Sequence, residues 1–166
     1  MNIGIISDTH DHKRHVRRAV EIFTERDVQY VLHAGDITTP PTIEAFAQRW
    51  RERFIAVFGN CDADRAALQA AVNHYGGRIE PCYTGEIDGK AIHMAHTPQT
   101  LAQAVGSQEY DLVVYGHTHR QDVRQEGRTL IVNPGAARSW MTTIGQVVIL
   151  DLADMTYTTE SLSRAL

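Results

Sequence analysis

The sequence predicts an α/β protein built from two stacked sheets with helices on their outer faces. Three observations predict it. Short apolar runs alternate with amphipathic helical stretches through the first half of the chain. An Asp88-Gly89 pair then opens a second half rich in hairpin signals. Throughout, carboxylates, imidazoles and a carboxamide recur just past apolar runs, the edge where open α/β sheets gather ligands.

The elements follow in order. Ile3 to Ser7 reads as a buried strand, and Asp11 is placed to cap the helix behind it. In that helix Val16, Ala19, Val20 and Phe23 recur at i, i+3, i+4 and i+7, one face of a 3.6-residue period. Val28 to Ala34 is the second strand, and Pro40-Pro41 starts a helix carrying Ile43, Phe46 and Ala47. Phe54 to Phe58 is the third strand. A helix from Ala63 to His74 follows and stops at Gly76-Gly77. Tyr83 to Ile87 and Lys90 to Ala95 flank Asp88-Gly89 as a type I′ hairpin. After a helix from about Pro98 to Val105 comes the strand Leu112 to Tyr115. Val123 to Gln125 and Thr129 to Val132 form a hairpin around Gly127. Gln146 to Asp151 and Thr156 to Ser161 close the sheet as a meander. A parallel βαβ half thus meets a largely antiparallel half.

Composition narrows the function. A chain of 166 residues is expected to form one domain, residues 1–166, with a core of ordinary size. The net charge of −4 and the lack of a long Lys/Arg run argue against a nucleic-acid wrapping surface. Lys13, Arg14, Arg17 and Arg18 read as a solvated helix face. No stretch has the length of a membrane span, and Met1 to Ile6 lacks the character of a signal segment. Two cysteines, Cys61 and Cys82, make no disulfide framework. A cytoplasmic protein is expected. Phe46, Trp50, Tyr75 and Trp140 are assigned to core or interface.

Four motifs carry the chemistry: Asp8-Thr9-His10, Gly35-Asp36, Gly59-Asn60-Cys61-Asp62 and Gly116-His117-Thr118-His119. Each follows an apolar run. Asp8/His10 and His117/His119 sit at i and i+2 just beyond a strand. Carboxylate oxygens mixed with neutral imidazoles suit Mn, Fe, Ni or Zn, whereas an all-oxygen set would suit Mg or Ca. Any one such pair is weak evidence; their joint occurrence after successive strands points to a two-metal hydrolase.

The order DxH, GD, GN, H, GHxH resembles the calcineurin-like metallophosphoesterase superfamily. The compact length and the cysteine of Gly59-Asn60-Cys61-Asp62 are most similar to its small single-domain phosphodiesterase branch. The resemblance implies a four-layer α/β-β/α sandwich of two mixed sheets flanked by helices, with a dinuclear centre between the sheets. It implies that Asp8, His10 and His119 hold one divalent transition metal. Asn60, His96 and His117 would hold a second, with Asp36 bridging both. Manganese is the first expectation for the cofactor pair, with Ni, Fe or Zn as alternatives. The implied reaction is hydrolysis of a phosphodiester by a metal-bridging hydroxide. Cations roughly 3.5–4 Å apart can share a hydroxide, lower its pKa and clamp the phosphoryl group. Asp36, Asn60 and Cys61 are the catalytic candidates. The substrate would be a small or nucleotide-like phosphate ester. The alternatives are a phosphomonoesterase and a non-catalytic scaffold like the retromer-subunit branch. Small relatives imply a homodimer.

Two departures from the family pattern bear on activity. Cys61 stands where many members carry a histidine assigned to the leaving group. A thiol is a weaker general acid at neutral pH than imidazolium, so slower turnover and a preference for diesters with good leaving groups are expected. Thr97-Pro98 follows His96 where relatives often carry glycine and histidine. Of the remaining histidines, His33 reads as a hydrogen-bonded neighbour of the site, and His12 as a cap or a substrate contact. His15, His74 and His93 read as structural or solvent-facing. Asp62 is open between orienting a ligand and making a local turn.

Overall fold

A computed structural model of the chain describes residues 1–138 and 144–163. Trp140 lies outside the described residues. Among the described residues, eleven strands and four α-helices follow one another as β1 (Asn2–Ile6), α1 (Lys13–Glu25), β2 (Tyr30–His33), α2 (Pro40–Trp50), β3 (Phe54–Val57), α3 (Arg65–Tyr75), β4 (Arg78–Glu80), β5 (Cys82–Ile87), β6 (Lys90–Ala95), α4 (Leu101–Ser107), β7 (Leu112–Val114), β8 (Gln121–Glu126), β9 (Thr129–Pro134), β10 (Gln146–Asp151) and β11 (Thr156–Ser161). They form a six-stranded sheet, ordered β11-β10-β1-β2-β3-β4, and a five-stranded sheet, ordered β5-β6-β7-β9-β8.

The local signals explain most boundaries. Asp64 caps α3 by accepting the Ala67 N–H at 3.0 Å, and Gly76 ends that helix at φ +81°. Asp88 and Gly89 both have positive φ, the geometry a type I′ turn requires. The cap of α1 differs from expectation. His12, not Asp11, caps it, with Nδ1 accepting the His15 N–H at 3.3 Å. The Asp11 carboxylate accepts instead from the Thr42 hydroxyl at 3.3 Å, joining the start of α1 to α2.

The division into a parallel and an antiparallel half also needs correction. The last two strands do not join the sheet formed by the second half. β10 pairs antiparallel with β1, and β11 with β10, so the chain returns to the first sheet. In the second sheet β6, β7 and β9 are mutually parallel, and only β5 and β8 at its edges run antiparallel. Both sheets therefore have parallel centres, and polar loops leave the C-terminal ends of five central strands.

Three apolar clusters give the layers. Ile3, Ile5, Leu32 and Val57 from the first sheet pack against Ile92, Met94, Leu112, Val114 and Val132 from the second. On the outer face of the first sheet, Val16, Phe23, Ile43, Phe46, Trp50, Leu68 and Val72 bring in α1, α2 and α3. Ala104 and Val105 of α4 cover Val113 and Ile131 on the other side. This is the expected α/β-β/α sandwich. Phe46 and Trp50 are core residues, and the Trp50 indole N–H donates to Val28 O at 2.8 Å. Each fully buried large aliphatic side chain contributes about 1.5–3 kcal/mol, so the facing sheets hold their registry, and with it the loops at their ends, firmly.

Candidate metal centre

Five strand ends deliver seven polar side chains to one place. Asp8 and His10 follow β1, Asp36 follows β2, Asn60 follows β3, His96 follows β6, and His117 and His119 follow β7. One ligand atom from each of Asp8, His10, Asp36 and His119 lies within 4.8 Å of the others. Beside them His96 Nε2 and His117 Nδ1 lie 3.0 Å and 2.9 Å from Asn60 Oδ1. Asp36 Oδ2 joins the two groups, 3.7 Å from His10 Nε2 and 3.4 Å from His96 Nε2. Every expected ligand is in the cluster, including His96 despite its Thr97-Pro98 sequel.

The backbone is strained to achieve this. Asp8, His10, Asp36, His117 and His119 all have φ between +43° and +66°. Non-glycine residues pay about 1–3 kcal/mol for such conformations, which persist where surrounding contacts fix them. Here the contacts run between loops. Asp8 N donates to Gly35 O at 3.0 Å, His10 N to Asp36 O at 3.1 Å, and His117 N to Asp8 Oδ2 at 3.2 Å. Glycine permits the closest approach: a Cβ at Gly116 would strike Ser7 Oγ, and one at Gly59 would strike Asp36.

Neighbouring groups aim each donor. Asp8 Oδ2 accepts from the Ser7 hydroxyl at 2.5 Å, which leaves Oδ1 facing the site. The Cys61 N–H donates to Asp36 Oδ1 at 2.8 Å, which leaves Oδ2. His96 Nδ1 must donate to Ala34 O, 2.7 Å away, because a carbonyl only accepts; Nε2 then faces inward. Asp62, whose role the sequence left open, holds two loops. Its carboxylate accepts from Asp36 N (3.1 Å), Gly59 N (2.6 Å) and Thr38 N (2.7 Å). Thr38 is itself at φ +76°.

The donor set fits divalent metal. Asp8 Oδ1 is buried and, among the described residues, accepts no hydrogen bond of proper geometry, although His119 Nε2 is 3.1 Å away. An inward His96 Nε2, Asn60 Oδ1 and Asp36 Oδ2 are three acceptors facing one another unless a proton or a cation stands between them. Burial raises the Asp8 pKa, opposed by the Ser7 hydroxyl and the charges of His96 and His119. Burial also works against ionised Asp36, but hydrogen bonds from His96 and Cys61 prevail and hold its carboxyl below the usual range. His96 is raised, its burial outweighed by Asp36 and Ala34. Clustered carboxylate oxygens beside an imidazole, His96, whose outer nitrogen is fixed by a backbone carbonyl are what a cation needs.

The site is closed on one side and open on the other. Asp8, Asp36 and His96 are buried, whereas Asn60, Cys61 and His117 are exposed. Burial and the Asp36 carboxylate raise the pKa of the Cys61 thiol and favour its protonated form.

His33 stays outside the cluster. Its Nδ1 accepts from Gly35 N at 3.2 Å, so the proton sits on Nε2, 3.1 Å from Thr9 Oγ1. Complete burial, then the nearby His96 ring, pushes its pKa down to about 3. The unfolded chain binds a proton here near pH 6.5, and the folded chain does not. Stability therefore falls as pH drops from about 6.5 towards 3, at up to about 1.4 kcal/mol per pH unit from this group. Urea midpoints measured from pH 7 to pH 4 are expected to fall less steeply in His33→Gln than in wild type; identical slopes would remove His33 from the acid limb.

Comparison with known proteins agrees with this geometry. The family model described as "Calcineurin-like phosphoesterase superfamily domain" matches residues 1–155. A curated relative, phosphodiesterase MJ0936 of Methanocaldococcus jannaschii, is 34% identical over 161 residues, spanning 95% of this chain and 96% of the relative. Among solved structures, one described as a novel archaeal phosphodiesterase superimposes with a TM-score of 0.90 at 33% identity, covering 97% of this chain and 99% of that one. Vacuolar protein sorting 29 of Cryptosporidium parvum shares the fold at a TM-score of 0.67 and 19% identity, over 96% of this chain and 95% of its own. With a family match over nearly its full length and strand ends converging on an Asp/His cluster, the chain belongs to the calcineurin-like phosphoesterase superfamily.

Proposed function

We propose that this chain is a dinuclear-metal phosphodiesterase, in which Asp8, His10 and His119 hold one cation, Asn60, His96 and His117 hold a second, and Asp36 bridges them. The observation that carries the reading is Asp36 Oδ2, which faces His10 on one side and His96 on the other at 3.7 Å and 3.4 Å. Manganese is the proposed occupant, with Ni, Fe and Zn suited by the same mixed donors. Bound divalent cations supply a water of lowered pKa as nucleophile and neutralise charge developing on the phosphoryl oxygens.

The chain's own residues do the rest. Asp62 and the Cys61 amide fix the bridging carboxylate before substrate arrives, so little reorganisation remains at the moment of reaction. The ester enters over the exposed side, against Asn60, Cys61 and His117. There the Cys61 thiol is a weak proton donor to a departing oxygen. That favours diesters whose leaving group needs no protonation. The complete donor set supports the enzyme reading over a scaffold.

A screen with Mn, Ni, Fe and Zn tests the proposal. Bis-p-nitrophenyl phosphate is expected to be hydrolysed with Mn, with activity abolished by chelator and restored by Mn. p-Nitrophenyl phosphate should be a poorer substrate. Inactivity on every ester with every metal would favour the scaffold. In the same assay Cys61→His is expected to raise monoester hydrolysis by about tenfold or more, since a positioned acid contributes roughly 10²–10⁴ in rate. An unaltered monoester rate would mean that leaving-group protonation does not limit turnover.

A further inference from the structure

The end of β9 grips the loop that bears His117 and His119. Asn133 lies on that strand, which runs parallel to β7, and it is fully buried. Both N–H groups of its side-chain amide, and its oxygen, are engaged. Nδ2 donates to Gly116 O at 2.9 Å and to the Thr118 hydroxyl oxygen at 3.0 Å, and Oδ1 accepts the Gly135 N–H at 2.9 Å. These partners fix the orientation of the amide, because a carbonyl takes only a donor and a backbone N–H only an acceptor.

Gly116 and Thr118 stand on either side of His117, so one buried amide pins the backbone on both flanks of that histidine and directly before His119. Both histidines hold positive φ, +66° and +58°, which non-glycine residues keep only where contacts impose it. His117 and Thr118 are exposed, so water competes for the outer bonds of the loop, whereas Asn133 reaches it from the buried side. The same segment also holds the loop after β1. Past Gly135, Ala137 N donates to Ser7 O at 2.8 Å and Arg138 N to Asp8 O at 3.1 Å. Residues 133–138 thus bracket the two loops across which Asp8 Oδ1 and His119 Nε2 meet at 3.1 Å.

We propose that Asn133 is a positioning residue, which sets the β7 loop so that His117 and His119 stand ready as ligands. It acts through the backbone of Gly116 and the side chain of Thr118, not by touching a cation or the ester. Its consequence for metal binding rests on the dinuclear reading above, in which the two histidines serve different cations. Ligands held in place by their surroundings bind more tightly than ligands that must be ordered on binding, and loss of such support typically costs 10–100-fold in metal affinity.

Asn133→Asp tests this with little change of shape. It keeps an acceptor for Gly135 N but turns an oxygen, in place of the donor, towards Gly116 O and Thr118. Thr118→Val removes one of the two loop bonds from an exposed position, and serves should the first variant fold poorly. Hydrogen–deuterium exchange is measured on the metal-free full chain. The amides of Gly116, His117 and Thr118 all donate hydrogen bonds. Peptides covering them are expected to exchange about tenfold faster in Asn133→Asp and about threefold faster in Thr118→Val, with peptides of α2 and α3 unchanged. Unaltered exchange in this loop, or an equal rise along the whole chain, would overturn the positioning role. Calorimetric titration with MnCl2 follows on the same proteins. At least one of two ions should bind about tenfold more weakly in Asn133→Asp than in wild type. Two ions bound equally tightly by wild type and variants would overturn the positioning role and leave the dinuclear reading. Wild type that binds fewer than two ions, with exchange still faster in this loop alone, would sink the dinuclear reading and leave Asn133 in its role.

Discussion

Asp36→Asn is expected to lower kcat/KM on bis-p-nitrophenyl phosphate by about a thousandfold or more while leaving the fold intact. The asymmetry comes from the two carboxylate oxygens. Oδ1 accepts the Cys61 N–H, and an asparagine oxygen can take over that hydrogen bond. The amide nitrogen must then point where Oδ2 was, between His10 and His96, offering a donor where a cation needs a lone pair. If Asp36 is the shared ligand proposed above, its loss would remove several kcal/mol of charge stabilisation, and each step of about 1.4 kcal/mol is tenfold in rate. Steady-state kinetics with thermal melting as a control checks it. A variant as active as wild type would remove Asp36 from the bridge.

Asp62→Ala should cost about 3–5 kcal/mol of stability and activity as well. The Asp62 carboxylate is buried and satisfies the N–H groups of Asp36, Thr38 and Gly59. Alanine would orphan all three, at about 1–3 kcal/mol per buried donor, though not additively. For a chain of this length, the melting temperature should fall by more than about 6 °C. Asp62→Asn separates the parts. An asparagine oxygen in place of Oδ2 keeps the Asp36 and Gly59 bonds, and only Thr38, at φ +76°, is released. It should lie between alanine and wild type in stability. If alanine melts at the wild-type temperature, the two loops are held by something else.

What the sequence made legible, and what it hid, divides along the range of the forces. Local signals carried well: the Asp88-Gly89 turn, the Gly76 stop of α3 and the helical face of Val16, Ala19 and Phe23 all act within a few residues, although Asp64, which caps α3, went unread. The strand ends that bear Asp8, Asp36, Asn60, His96, His117 and His119 were readable for the same reason, since each polar group directly follows a buried run. Sheet membership was not. Nothing near Gln146–Asp151 announces that it pairs with Asn2–Ile5 at the opposite end of the chain. The strand Arg78–Glu80 escaped because it has three residues, of which only Ile79 is buried. Positive φ at Asp8, His10 and Thr38 also went unseen, because turn reading looks for glycine and these conformations are fixed by contacts between loops. Asp62 stayed ambiguous on the same ground, its three partners lying on two loops that meet only in the fold.

The most direct test of the central claim is a metal count. Metal-free protein loaded with Mn, passed through gel filtration and assayed by plasma mass spectrometry, should retain about two ions per chain, and Asp36→Asn at most about one. Wild-type protein that retains no Mn, Ni, Fe or Zn under these conditions would contradict the account.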